Sequence, residues 1–220
     1  MQPIIHVTAD NSRTLYIPEL DEHYHSTFGA LSESLHVYVE CGLMHRAASL
    51  QGRRLRIFEL GLGTGLNALL CAKTAVPIDY TAIEKFPVDF ELVENLDYAT
   101  GEDKDILKEI HLCEWGKPVD LTPGFMLHKI EGDFLYYVPS STFDVIFMDA
   151  FAPDKQPELW NSDVLAKLED MLAPGGVLTT YCAKGAIRRG FEQLGLSAER
   201  LPGPAGGKRE ILRVTKNKKW

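Results

Sequence analysis

No stretch of this chain approaches the roughly 18 consecutive apolar residues needed to span a bilayer. Met1 to Asp10 hold neither the basic start nor the apolar core of a secretory leader. A cytoplasmic, membrane-free protein is expected. Cysteine is sparse. Cys41, Cys71, Cys113 and Cys182 are widely spaced with no C-x-x-C pair, so neither a disulfide framework nor a zinc site is indicated, and reduced, buried thiols are expected. The chain has no internal repeat, low-complexity tract or long Pro/Gly/Ser linker, and no Gly-x-Ser-x-Gly elbow for a serine nucleophile. Asp21-Glu-His-Tyr-His25 has histidines two apart but no matching pair elsewhere. A turn near a substrate mouth is therefore expected there, and no metal.

What is present is ordinary globular material: 220 residues, 45% hydrophobic, 25% charged and 10% aromatic. A chain of this length buries about 70% of its extended surface and can carry a core without staples. One unit is expected, with residues 1–50 as an N-terminal cap and 51–220 as the main body, and a monomer. Net charge is −8, unevenly placed: residues 1–183 hold 13 Lys/Arg against 28 Asp/Glu, and residues 184–220 hold 10 against 3. A basic end on an acidic body points to a polyanionic partner, with a simply solvated surface as the alternative.

Short apolar runs, rich in branched and aromatic residues, recur at Leu55–Leu60, Ile78–Ile83, Phe125–Ile130, Phe143–Met148, Val177–Tyr181 and Glu210–Val214. Runs that do not alternate suit a parallel sheet covered on both faces. Helices are expected near Thr64–Ala75, Val88–Tyr98, Lys104–Cys113, Ser162–Leu172 and Ala186–Leu194. This β-α alternation predicts a doubly wound, Rossmann-like α/β domain. Leu201-Pro-Gly-Pro-Ala-Gly-Gly207 leaves no room for a helix before the last run, so an antiparallel final strand is expected. The first fifty residues read as extended segments at Ile4–Val7 and Arg13–Ile17, a polar turn at Asp21–Ser26, and a helix near Leu31–His45.

Four segments fall where strands end. Glu59-Leu-Gly-Leu-Gly-Thr-Gly65 sits between a strand and a helix; Gly61, Gly63 and Gly65 allow a sharp turn and close ligand approach, and the helix start favours an anion. A dinucleotide fingerprint needs glycine at position 66, which is Leu66, so the spacing fits S-adenosylmethionine better than NAD. Glu84, 19 residues beyond Gly65, is placed to accept from ribose hydroxyls. Asp133, after Gly132, is placed either for an adenine amino group or as a helix N-cap. Asp149-Ala-Phe-Ala-Pro153 presents a charge, an aromatic plate and a rigid turn at one lip. Together they define a ligand crevice at the carboxyl edge of one sheet.

Glu59-Leu-Gly-Leu-Gly-Thr-Gly-Leu-Asn67, Tyr80-Thr-Ala-Ile-Glu-Lys-Phe-Pro87, Asp149-Ala-Phe-Ala-Pro153, Leu172-Ala-Pro-Gly-Gly176, Arg188-Arg-Gly190 and Gly207-Lys-Arg-Glu210 resemble the methyltransferase domain of the bifunctional bacterial tRNA 5-methylaminomethyl-2-thiouridine biosynthesis enzymes. Tyr24-His-Ser26 and Gly29-Ala30 resemble that domain's N-terminal segment. The resemblance implies a class I S-adenosylmethionine-dependent fold with an antiparallel C-terminal strand. It also implies methyl transfer to the exocyclic amine of 5-aminomethyl-(2-thio)uridine at the wobble position of the tRNA anticodon loop. The flavin-dependent domain of those enzymes has no counterpart before Trp220, so a stand-alone methyltransferase is expected. The implied cofactor residues are Glu59, Gly61, Gly63, Gly65, Asn67, Glu84, Lys85, Asp133 and Asp149. Asp149 is the implied catalytic group; Tyr24, Phe151, Pro153, Arg188, Arg189, Lys208 and Arg209 are the implied substrate contacts. Two other readings stay open, a small-molecule amine methyltransferase or aminopropyltransferase and a non-catalytic nucleotide-binding module.

Overall fold

The computed structural model describes residues 3–9, 11–50, 52–207 and 209–217. Strands β1 (Ile4–Val7), β2 (Arg13–Ile17) and β3 (Glu22–His23) make a small antiparallel sheet. A continuous helical stretch follows: α1 (Ala30–Ser34), a π-helical segment (Leu35–Met44) and α2 (His45–Ala47). The main body runs β4 (Leu55–Leu60), α3 (Leu66–Ala72), β5 (Ile78–Glu84), α4 (Phe90–Glu94), α5 (Glu102–Leu112), β6 (Pro118–Thr122), β7 (Phe125–Glu131), β8 (Phe143–Met148), α6 (Ser162–Met171), β9 (Leu172–Thr180), α7 (Gly185–Gln193), β10 (Ser197–Pro202) and β11 (Glu210–Thr215).

The large sheet has the order β10-β11-β9-β8-β4-β5-β7-β6. Neighbours from β9 to β7 pair parallel, whereas β11 against β9, β10 against β11 and β6 against β7 pair antiparallel. β8 is buried at every residue and β4 at all but Arg56, which is why their sequences are apolar without alternation. One core layer packs α3, α5 and the π-helical segment against one face of the sheet; the other packs α6 and α7 against the opposite face. The chain leaves β4 for β5 on one side and later returns to β8 on the other. This reversal opens a crevice beyond the carboxyl ends of β4 and β8, where open α/β sheets bind ligands.

Several expectations are adjusted. The helix expected over Val88–Tyr98 shrinks to Phe90–Glu94, and Asp97 adopts φ 55° just beyond it. The strand expected from Val177 starts at Leu172, with an irregularity in its pairing to β8. β6 and β10 were not anticipated. The Pro/Gly segment turns between β10 and β11, and α7 and β10 both precede it, so the final antiparallel pairing arises from a hairpin added beside β9. The expected polar turn contains β3, and the helix near Leu31–His45 takes a π form through most of its length.

Candidate functional site

The Gly loop owes its path to left-handed backbone at Gly61, Gly63 and Gly65, with φ of 90°, 51° and 73°, a region where side chains are strained. Space is as tight as conformation. A Cβ on Gly63 would lie 3.1 Å from the Tyr24 ring, and one on Gly65 would lie 3.0 Å from His111 Nε2. Glu84, at the end of β5, ties the loop down: Gly63 N–H donates to its Oε2 (3.0 Å) and Phe86 N–H to its Oε1 (2.8 Å). Burial raises the Glu84 pKa, and these backbone donors oppose the shift.

The end of β8 lies across the loop, and Asp149 is gripped from both sides. Tyr38 of the π-helical segment donates its hydroxyl to Asp149 Oδ1 (2.6 Å), and Asn67 Nδ2 donates to Asp149 Oδ2 (2.8 Å). The same Asn67 nitrogen donates to Glu59 Oε1 (2.8 Å), so one amide bridges two carboxyl groups. Glu59 is 1% exposed. Burial first, and the charge of Asp149 second, push its pKa well above the ordinary carboxylate value. Tyr80 also faces Glu59 and each perturbs the other, although neither the Tyr80 hydroxyl nor Glu59 Oε2 makes a hydrogen bond of good geometry.

Past Asp149 the backbone is held by side chains from two other elements: Tyr181 donates to the Ala150 carbonyl (2.8 Å) and Trp160 Nε1 to the Phe151 carbonyl (2.8 Å). Phe151 thereby meets Tyr24 edge to face, with ring centroids 5.4 Å apart. The two rings stand over a cavity of about 560 Å³ whose walls include Tyr24, His25, Glu33, Asp149, Phe151, Pro153, Tyr181 and Lys184. A smaller cavity of about 200 Å³ lies on the other side of the Gly loop, between Gly63, Glu84, Phe90, His111 and Trp115. Burial, and then Glu84, push the Tyr24 pKa up to about 12, so its hydroxyl keeps its proton.

Of the expected residues, Gly63 and Glu84 line the smaller cavity and Tyr24, Asp149, Phe151 and Pro153 the larger, while Glu59, Gly61, Gly65 and Asn67 lie in and beneath the loop between β4 and α3 without lining either. Lys85 and Asp133 form an ion pair at 2.9 Å, and Asp133 also caps the short helical turn Phe134–Tyr136 through Leu135 N–H. Neither lines either cavity. Arg188 is engaged by Glu192 one turn along α7, while Arg189 and Arg209 are exposed. Lys208 lies outside the described residues. Among the described residues no group of three or more His, Cys, Asp or Glu is arranged to hold a metal, and no helix is long and apolar enough to cross a membrane.

Sequence reasoning missed Tyr38, Tyr181, Trp160 and the role of His25, whose Nε2 lies 2.8 Å from Thr64 Oγ1 in the Gly loop. Buried Val37 and Gly42, and Tyr38 and Leu43, are each five apart, a spacing consistent with the π form, but that burial is visible only in the fold.

Comparison with known proteins bears on the chain's sequence and fold. The family model described as S-adenosyl-L-methionine-dependent methyltransferase matches residues 120–217. The chain is 32% identical over 216 residues to the tRNA 5-methylaminomethyl-2-thiouridine biosynthesis bifunctional protein MnmC of Pseudomonas paraeruginosa, covering 86% of this chain and 31% of that protein. The MnmC of Cupriavidus necator is 30% identical over 226 residues, covering 93% and 33%. The chain therefore spans about a third of the length of the curated relatives it matches. Among solved structures, MnmC2 from Aquifex aeolicus superposes with a TM-score of 0.81 at 23% identity, over 99% of this chain and 72% of that one. A methyltransferase from Pyrococcus furiosus gives 0.51 at 22% identity, over 91% of each. In fold the chain is similar to these methyltransferases, and in sequence it is similar to about a third of the length of the MnmC proteins.

Proposed function

We propose that this chain methylates the exocyclic amine of 5-aminomethyl-(2-thio)uridine at the tRNA wobble position, in the cytoplasm, using S-adenosylmethionine. The observation that carries the reading is Asp149, oriented by donors on both oxygens at the wall of an aromatic-edged cavity beside the Gly loop. The MnmC relatives, named for tRNA 5-methylaminomethyl-2-thiouridine biosynthesis, suggest the substrate class.

The residues fit the cofactor. Glu59 Oε2 and Asn67 Oδ1 are buried polar atoms without a hydrogen-bond partner at the foot of the Gly loop. Such orphaned polar atoms are costly unless a ligand group meets them. Glu59, Asn67 and the loop glycines would hold the amino-acid part. Glu84 retains acceptor capacity for ribose hydroxyls, since each carboxylate oxygen has two lone pairs. Lys85 and Asp133 would stand at the rim. When bound, S-adenosylmethionine supplies an electrophilic methyl on a sulfonium.

The chain's own residues do the rest. An alkylamine titrates near ~10.4, so presenting it neutral at pH 7 costs on the order of 4 kcal/mol. The apolar faces of Tyr24 and Phe151 lower that cost by excluding water. Phe151 offers a plate for a splayed-out base. Asp149 orients the amine and stabilises the positive charge that grows on nitrogen. Residues 1–50 act as a cap, bringing Tyr24, His25 and Tyr38 over the sheet edge.

The test is mass analysis of wobble nucleosides after incubating the chain with S-adenosylmethionine and tRNA bearing 5-aminomethyluridine. Gain of one methyl group is expected, and Asp149→Asn should slow single turnover at least about 100-fold. An unmodified tRNA alongside rapid methylation of small amines would overturn the reading in favour of a small-molecule enzyme.

A further inference from the structure

Asp149 does not hold its own orientation. Its Oδ1 contact comes from 111 residues earlier in the chain, on a helical segment whose form is uncommon. π-Helical turns are rare and concentrate at functional places. Here the wide turn has two visible consequences. It puts Gly42 directly on the sheet, where a Cβ would lie 3.0 Å from both Phe147 Cε1 and Thr179 Oγ1. It also lays the Tyr38 ring on Phe147, centroids 5.2 Å apart, so that the hydroxyl reaches Asp149 two residues farther along. Tyr38 is 1% exposed. Burial, and then Asp149, raise its pKa well beyond the ordinary phenol value, so it remains a donor.

With Asn67 on the other oxygen, the carboxylate takes a donor on each side. We propose that Tyr38 is the positioning residue for Asp149, its hydroxyl being carried into place by the π-helical segment Leu35–Met44. The inference rests on the catalytic role proposed for Asp149. It assigns to the N-terminal helix a part in setting the reaction geometry that packing alone would not require.

A double-mutant cycle separates positioning from structural support. Tyr38→Phe keeps the ring on Phe147 and removes one donor. Its single-turnover methylation rate should fall roughly 10- to 100-fold, the scale of a displaced reacting group. Affinity for S-adenosylmethionine, KM for tRNA and the melting temperature should stay close to wild type. In an Asp149→Asn background the same change should cost nothing further. Near-wild-type turnover in Tyr38→Phe, or losses that multiply in the double variant, would overturn the proposal. If wild type methylates no such tRNA, the proposed function fails by itself. The positioning claim is then read from a crystal structure of Tyr38→Phe: a rotated Asp149 carboxylate supports it, and an unchanged one overturns it.

Discussion

Acidification should loosen this fold through one imidazole. His25 is buried against Tyr98, its Nε2 is 2.8 Å from Thr64 Oγ1, and burial pulls its pKa from 6.5 down to about 4. A folded value below the unfolded one means that the unfolded chain takes the proton first. The stability involved is fully present above pH 6.5 and is lost as pH falls through 4. At about 1.4 kcal/mol per unit the whole effect is about 3 kcal/mol, of which about 2 kcal/mol is gone by pH 5. Glu59 acts in the opposite sense. Its folded pKa is raised, so its contribution is present below the ordinary carboxylate value and fades as pH rises. The wild-type profile mixes these with other perturbed groups, among them His111, whose pKa burial also lowers, and the comparison with His25→Gln isolates this histidine. Urea unfolding at pH 7 and pH 5 should show the variant less stable at pH 7, yet losing about 2 kcal/mol less than wild type on acidification. Equal losses in both proteins, or an imidazole that titrates near 6.5 by NMR, would refute the reasoning.

Other expectations follow from the same structure. Glu84→Ala frees the Gly63 and Phe86 N–H groups and should weaken S-adenosylmethionine binding by about 1.5 to 3 kcal/mol per lost ligand hydrogen bond, measured by calorimetry; unchanged affinity would remove Glu84 from the site. Asp144 is 1% exposed and accepts from Arg53 (2.6 Å) and Arg56 N–H (3.1 Å), with Arg46 at 3.7 Å. Asp144→Ala should therefore cost about 3 to 5 kcal/mol in urea unfolding, because it strands the nearly buried Arg46. Changing Arg189 and Arg209 together to Ala should flatten the salt dependence of tRNA binding by roughly 1 to 2 units of log-log slope, without touching cofactor affinity.

Burial pattern decided which elements could be read from the sequence. β4 and β8 are buried on both faces, and their apolar runs mark their ends to the residue. β6 (Pro-Val-Asp-Leu-Thr) and β10 (Ser-Ala-Glu-Arg-Leu-Pro) are edge strands with no buried residue, so they carry no hydrophobic pattern to detect. The π form of the helix near Leu31–His45 escaped for another reason. Its apolar positions satisfy three-, four- and five-residue spacings at once, and the sheet residues that Gly42 packs against, Phe147 and Thr179, lie more than a hundred positions away.

The site divides along the same line. Gly61, Gly63, Gly65, Glu84 and Asp149 announce themselves because each stands at a strand end, which is a local property. Tyr38, Tyr181 and Trp160 act through contacts that only the fold creates. Charge shows the limit most clearly. Counting Lys and Arg in residues 184–220 suggests one broad basic surface, yet Lys184 pairs with Asp154, Arg188 with Glu192, Arg200 with Glu210, Arg213 with Glu199 and Lys216 with Glu169. Net charge is additive along a sequence, whereas the field a polyanion meets depends on which cations keep an acidic neighbour within reach. Among the described residues of that zone, Arg189 and Arg209 are the arginines with no ion pair. For that reason the electrostatic test of RNA binding belongs on those two side chains rather than on the basic segment as a whole.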